Sequence, residues 1–207
     1  MERLLADLPT GAGIRLLVVQ HMLASFTRRF AERLDAASDY DVREARVTDS
    51  VGVDEAVVAR GDTNMRAVGE DETDAGVLNL ELGGGSQSPR PSVDVTMSTV
   101  ADVAEGSVVG VVLSGMGSDG VRGVRAVKRA GGVTVAQDEE TCGVFGMPRR
   151  AIESGNVDHV LPRDAIPGFV RKTAEEEGEV EDGGADCVTK QENSGKADEI
   201  TKETTDG

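Results

Sequence analysis

The sequence predicts an α/β fold: a doubly wound, mostly parallel sheet with helices on both faces, a small hairpin and an acidic tail that does not pack. Three observations predict it. Mostly continuous apolar runs at 14–20 and 108–113 have strand length and read as buried strands, the first on both faces, and 133–136 reads as a third strand. Helical patterns lie between them, and alternating strands and helices imply parallel pairing through right-handed crossovers. Residues 173–207 hold twelve acids against three lysines, a net of −9 out of −16 for the 207-residue chain, with few apolar side chains. Such a segment cannot offset its own ordering entropy and is expected to be disordered. The domain is therefore placed at 1–172 and the tail at 173–207.

The elements follow in order. Leu4, Leu5 and Leu8 mark a short opening helix that stops at Pro9, and Thr10-Gly11-Ala12-Gly13 is a loop. Because open α/β domains usually begin with a strand, Met1 is not expected to be the natural start of the domain. After strand 14–20, Phe26, Phe30 and Leu34 recur at helical spacing, with Arg28, Arg29, Glu32 and Arg33 around the other side. Residues 40–47 and 55–59 read as short strands, and 65–68 with 77–82 as a hairpin. Ser92 suits an N-cap for a helix reaching about Ala104, with Asp94 in its first turn. Strand 108–113 leads through a glycine turn at 115–120 into a helix carrying Val121, Val124 and Val127, which ends at Gly131-Gly132. Strand 133–136, a helix at 148–154, strand 157–161 and a final helix from about Arg163 complete the domain.

Composition excludes several classes. With 38 acids against 22 bases there is no basic stripe to displace counterions from a nucleic-acid backbone. The run Ile14 to Val19 is too short to span a bilayer, and Met1-Glu2-Arg3 lacks the order of a signal peptide. Cys142 and Cys187 cannot form a disulfide framework and read as incidental thiols. A cytoplasmic protein is expected, and five Lys against 17 Arg with an acidic excess suit a high-salt cytoplasm. No metal or cofactor is expected.

Sites in doubly wound sheets lie beyond the carboxyl ends of the strands. Three polar features fall there: His21 after strand 14–20, Gly115-Met116-Gly117-Ser118-Asp119-Gly120 after strand 108–113, and Gln137-Asp138-Glu139 after strand 133–136. His21 is placed for proton transfer near neutrality, while His159, inside the alternating strand 157–161, reads as structural. Residues 115–120 match G-x-G-x-x-G, and Asp138 stands where a ribose-binding acid would. Asp119 argues against that dinucleotide reading, because it sets a carboxylate in the loop that would receive two phosphate charges. The competing reading pairs Asp119 with His21 as the second half of a Ser-His-Asp triad, with the backbone N–H groups of Met116 or Gly117 binding an oxyanion. No nucleophile accompanies them. Ser118, Ser114 and Ser92 are available on paper, Ser25 suits an N-cap, and no G-x-S-x-G elbow occurs.

These strings resemble a known family. Val19-Gln20-His21-Met22 with Phe26 to Leu34, Arg90-Pro91-Ser92-Val93-Asp94, Ser114 to Gly120, Ala136 to Cys142 and Val144 to Pro148 are similar to the motifs of the chemotaxis protein-glutamate methylesterases, in their order, from Met1 to about Lys172. The resemblance implies a parallel α/β catalytic domain that hydrolyses glutamyl methyl esters on chemoreceptor helices and, in some members, deamidates glutamine. It carries the triad histidine and aspartate onto His21 and Asp119 and the oxyanion amide onto Met116. It makes Gln137 to Thr141 a structural loop.

Three departures bear on activity. The family's nucleophilic serine lies on a Gly-Ala-Ser-Thr-Gly-Gly turn after a first strand, and neither is present here. Residues 1–207 are also not expected to include the amino-terminal receiver domain. Asn64 stands where the family often has histidine, at what is expected to be the pocket edge. Losing a triad nucleophile costs about six orders of magnitude in rate, and losing a first strand exposes a central sheet edge. The chain by itself is thus expected to be a poor enzyme. A catalytically inactive receptor-binding remnant of the same fold is the alternative, with a dinucleotide-binding domain behind it.

Overall fold

The apolar runs assemble into two parallel sheets rather than one. The computed structural model describes residues 1–69, 77–84, 89–104 and 107–182, the last six as backbone alone. Along the chain run α1 (Glu2–Ala6), β1 (Leu16–Val18), α2 (Ala24–Asp35), β2 (Asp41–Glu44), β3 (Thr48–Val51) and β4 (Glu55–Val58). The middle contains β5 (Asn64–Val68), β6 (Leu78–Gly83), α3 (Val93–Val103) and β7 (Val109–Val112). Then follow α4 (Val121–Arg129), β8 (Val133–Gln137), α5 (Met147–Glu153), β9 (His159–Leu161) and, after a 3₁₀ turn, α6 (Ile166–Asp182). No helix among the described residues is long and apolar enough to cross a membrane.

The sheets are ordered β1-β4-β2 and β7-β8-β9, both parallel, with an antiparallel β3-β6-β5 sheet beside them. One face is covered by α1, α2 and α6 through Leu4, Leu5, Leu8, Leu34, Ile166 and Val170. The other carries Val93, Val124, Met147 and Ala151 from α3, α4 and α5, while Met65, Ala67 and Leu80 of the antiparallel sheet pack on Val57 and Ala59. This is the expected doubly wound α/β arrangement with its hairpin.

The expected burial of β1, on both faces, and of β7 does not hold, for a topological reason. The central strand β4 is sealed, with Ala56, Val57 and Val58 all 0% exposed. Leu16 and Leu17 of β1 and Val109 and Val111 of β7 are only half-buried. Val18 C=O accepts from Ala59 N–H, and Val108 C=O from Val133 N–H. By the alternation of a parallel ladder, the backbone groups of Leu17 and Val19, and of Val109, Val111 and Leu113, face away from their paired strands. They line a cavity of about 960 Å³ between the two sheets, together with Leu4, Leu5 and Val170 on one side and Met97 and Val100 on the other.

Other expectations shift locally. The expected strand 40–47 is shorter: β2 ends at Glu44, because Asp49 turns the chain by accepting from Arg46 N–H at 2.9 Å and from the Arg43 guanidinium at 2.6 Å, and β3 begins only at Thr48. The predicted Phe26–Phe30–Leu34 stripe holds at Leu34, which is buried, and at Phe30, which packs on the core, but not at Phe26, which is exposed. α2 buries Thr27 and Ala31 beside Leu34, since the Thr27 hydroxyl engages Glu44 and the Ala24 carbonyl. Ser25 lies in the first turn of α2 but does not cap it; the N-cap position is Leu23. α6 continues beyond Lys172 to Asp182, with Arg171–Glu175 and Lys172–Glu176 pairs one turn apart favouring the helix. Residues 183–207, including Cys187, lie outside the described residues.

Candidate active site

Ser92 starts the construction of the site. Its hydroxyl accepts from Val95 N–H and so caps α3, which leaves the Val93 and Asp94 N–H groups directed outward at the positive end of the helix. The Asp119 carboxylate fills that position. It accepts from Val93 N–H at 2.7 Å, from Asp94 N–H at 2.9 Å and from the Ser92 hydroxyl at 2.9 Å. Asn64, buried in β5, accepts from Ser92 N–H at 3.0 Å and so supports the cap from behind. It does not lie on the pocket edge, where the sequence placed it.

The remaining side of Asp119 meets His21. The ring Nε2 lies 2.8 Å from Asp119 Oδ2, although 98 residues separate the two in sequence. Burial pushes the Asp119 carboxyl upward, but the bonds from His21, Asp94, Val93 and Ser92 outweigh it and hold the group below the ordinary carboxylate range. An ionised carboxylate only accepts, so Nε2 carries the proton and Nδ1 is left as the basic nitrogen. The strand-end positions of β1 and β7 bring the pair together. Gly120 turns the chain from Asp119 into α4 at φ +102°, where a Cβ would also lie 3.2 Å from Val112 Cγ2.

The loop beside this pair is held from below. Gln137 Oε1 accepts from Ser114 N–H at 2.9 Å, and its amide donates to the Thr141 carbonyl at 2.8 Å. Gly115 C=O accepts from Gly146 and Met147 N–H, which anchors the loop to α5. Met116 and Gly117 sit at the top, Met116 with its side chain 81% exposed. The N–H groups of Met116 and Gly117 have no internal partner among the described residues, so both remain available to a bound oxyanion.

The other candidates separate clearly. Ser92 is spent on α3 and Asp119, and Ser114 exchanges hydrogen bonds with the Val144 backbone. Ser118 and Ser25 are exposed. Among the described residues no hydroxyl or thiol is hydrogen-bonded to His21. Asp138 binds Thr141 within its own turn, at 2.6 and 2.9 Å, and Asp119 points into α3, so residues 115–120 form a strand-to-helix turn rather than a phosphate cradle. His159 lies on β9 with its ring 4.6 Å from that of Phe169. The Cys142 thiol is pushed up by burial and by Asp138 and Glu139, which makes it a poor nucleophile. Among the described residues no group of His, Cys, Asp or Glu is arranged to hold a metal.

Of the residues singled out in the sequence, the structure brings His21 and Asp119 together beside the Met116–Gly117 loop; the carboxylate of Asp94 was not among them. That group accepts from Gly120 and Gly123 N–H at 2.8 Å each and from Arg122 Nε at 2.9 Å. The signal was an acid in a first helical turn, which by itself reads only as a favourable helix charge.

Comparison with known proteins places the chain in a family. The family model described as CheB methylesterase matches residues 1–170. A protein-glutamate methylesterase/protein-glutamine glutaminase of Halobacterium salinarum is 50% identical over 179 residues, covering 84% of this chain and 51% of that protein. One from Natronomonas pharaonis is 47% identical over 175 residues, covering 84% of this chain and 48% of that protein. The chain thus spans about half the length of these relatives. The crystal structure of the Thermotoga maritima CheB methylesterase catalytic domain superposes with a TM-score of 0.74 at 34% identity, covering 83% of this chain and 92% of that one. By residues matched, identity and fold, the chain belongs to the CheB methylesterase family.

Proposed function

We propose that residues 1–172 form the histidine–aspartate half of a hydrolase for methyl esters of glutamate side chains on chemoreceptor helices, with glutamine side-chain amides as a second substrate class. The observation that carries this reading is His21 held at 2.8 Å by an ionised Asp119, at the carboxyl ends of β1 and β7 and beside the Met116 and Gly117 amides. The nucleophile is a serine outside residues 1–207. Its hydroxyl oxygen attacks the ester carbonyl while His21 Nδ1 takes the proton. Asp119 stabilises the imidazolium through Nε2–H, and the loop amides receive the oxyanion. The proton then passes from His21 to the departing methoxide, releasing methanol. Water, deprotonated by the same nitrogen, cleaves the acyl-serine to free glutamate.

The cavity between the sheets supports this placement of the serine. Consecutive residues of β1 and β7 line it, as strand edges do, and His21, Ser114 and Gly115 lie at its carboxyl end. Backbone groups on both edges that have no partner among the described residues call for a strand rather than a small ligand. A parallel strand seated there delivers its next residue beside His21. A helical substrate is supported by exposed apolar side chains on the segments bordering the site, Leu23 and Phe26 after His21 and Met116 and Val144 on the facing loops. One observation favours a second reading, a receptor-binding protein without chemistry: among the described residues His21 has no hydroxyl partner.

The test is methanol release from methylated receptor. The 207-residue chain is expected to be silent, and a chain extended upstream of Met1 by its natural coding sequence to be active. His21→Ala or Asp119→Ala in the extended chain should lower turnover by about four orders of magnitude or more. Retained turnover in either variant overturns the mechanism. Receptor binding without methanol from either chain length establishes the second reading.

A further inference from the structure

We propose that Asp94 is the positioning residue of this site: its carboxylate fixes the turn that carries Asp119 and thereby sets the Asp119–His21 hydrogen bond. The inference rests on the reading of His21 and Asp119 as the working pair.

Asp119 lies in a turn that would move freely on its own, with Gly117 and Gly120 both at φ +102°. Two contacts with residue 94 remove that freedom, and they run in opposite directions. Asp94 N–H donates to Asp119 Oδ1 at 2.9 Å, while Asp94 Oδ1 accepts at 2.8 Å from the N–H of Gly120, the residue directly after Asp119. A carboxylate at the start of α3 thus caps α4, and a carboxylate just before α4 caps α3. Neither helix can shift without carrying the other's acid with it.

The clamp is extended by Gly123 N–H on the same oxygen and by Arg122 on Oδ2. Close approach of the two helices makes this possible. A Cβ at Gly123 would fall 2.7 Å from Met97 Cβ, so only glycine lets the α4 backbone come near enough. The Asp94 side chain is 8% exposed, and burying a second negative group beside Asp119 is costly unless it is paired. Arg122, itself largely exposed, supplies the pairing charge. Bonding to Asp94 and attraction to Asp94 and Asp119 raise the Arg122 pKa above its ordinary value. A simple helix cap needs one acceptor and no counterion, and Asp94 has both oxygens engaged.

The experiment exploits the two histidines of the chain. In the 207-residue protein carrying ¹⁵N-labelled histidine, the His21 Nε2–H proton bound to Asp119 should exchange slowly with water, and His159 serves as the control. Asp94→Ala should speed that exchange about tenfold or more, leaving His159 unchanged and thermal unfolding cooperative. Asp94→Asn, which keeps an acceptor for Gly120 and Gly123, should restore slow exchange. If Asp94→Ala does not fold, Arg122→Gln is read instead, with an expected acceleration of about threefold. A wild-type exchange rate in Asp94→Ala with only a lowered melting temperature makes Asp94 a plain helix cap and overturns the proposal, as does a wild-type rate in Arg122→Gln where that variant is read. An unprotected His21 proton in the wild-type protein overturns both this assignment and the histidine–aspartate reading. A protected proton unaffected by Asp94→Ala overturns this assignment alone.

Discussion

Gln137, at the end of β8, accepts a 2.9 Å hydrogen bond from the backbone of Ser114, two residues past the end of neighbouring β7. The two strands are already paired at Val112 and Ala136, so this side chain continues the ladder past its last backbone rung. Its amide goes to Thr141, and the arrangement ties the loop that begins at Gly115 to the loop after β8.

Gln137→Ala should therefore leave the part-buried Ser114 N–H without its acceptor. The expected cost is about 1–3 kcal/mol in urea unfolding. Ser114 amide exchange should quicken more than that of Val112, which the ladder retains. Equal effects on both amides would mean that the side chain stabilises the sheet generally and not the loop.

Tyr40 offers a second measurement. Its hydroxyl donates to the Pro9 carbonyl at 2.5 Å, and burial, with the Asp54 charge, raises its pKa to about 12. The neutral form is favoured in the folded state. Its stabilisation is thus complete below the unfolded value near 10 and is lost as pH rises towards 12, on the order of 2–3 kcal/mol over that window. The chain has one Tyr and no Trp, so absorbance at the phenolate band reports this group alone. A native-state midpoint near the ordinary value would show that the ring is not sealed in the core.

Gly123→Ala tests the contact between α3 and α4. The added methyl would press on Met97 Cβ at 2.7 Å, a backbone-proximal atom with little room to give. A loss of about 1–3 kcal/mol is expected by chemical denaturation, and Met97→Ala in the same chain should recover part of it. No recovery would indicate that the helices separate for another reason.

How much of this was legible in the sequence depends on whether local pattern or tertiary contact decided the outcome. Val133 to Gln137 and Val121 to Arg129 were readable because period and punctuation agree there. Ser92 was readable as a cap because a hydroxyl before an apolar helical run has one dominant local use. His21 and Asp119 were readable as strand-end polar residues, which the doubly wound fold sends to one end of the sheet. The α2 face was misread at Phe26 alone, because that residue has the larger hydrophobic surface, yet Thr27 has a hydroxyl partner in Glu44 that no periodicity reveals. The separation of β1 from β7 was equally hidden, since an apolar run does not disclose which strand lies beside it. Asp94 was missed for a related reason: its partners Gly120, Arg122 and Gly123 become neighbours only when α4 packs on α3.

Acid titration gives the most direct test of the Asp119 environment. The carboxyl is held below its ordinary range in the folded state, where burial opposes ionisation and four hydrogen bonds outweigh it. A lowered folded value means that the unfolded chain binds the proton more readily. The stabilisation is therefore present above the unfolded value near 3.9 and disappears as pH falls through the folded one. Asp119→Asn keeps one acceptor for the α3 amides but cannot ionise. The unfolding free energy of the wild-type protein should exceed that of the variant above about pH 5, and the margin should shrink below about pH 4. Urea unfolding of both proteins at half-unit steps of pH measures it. A margin that stays constant down to pH 2 would mean that the charge on Asp119 contributes nothing, and that Ser92, Val93 and Asp94 stabilise the side chain as a neutral acceptor.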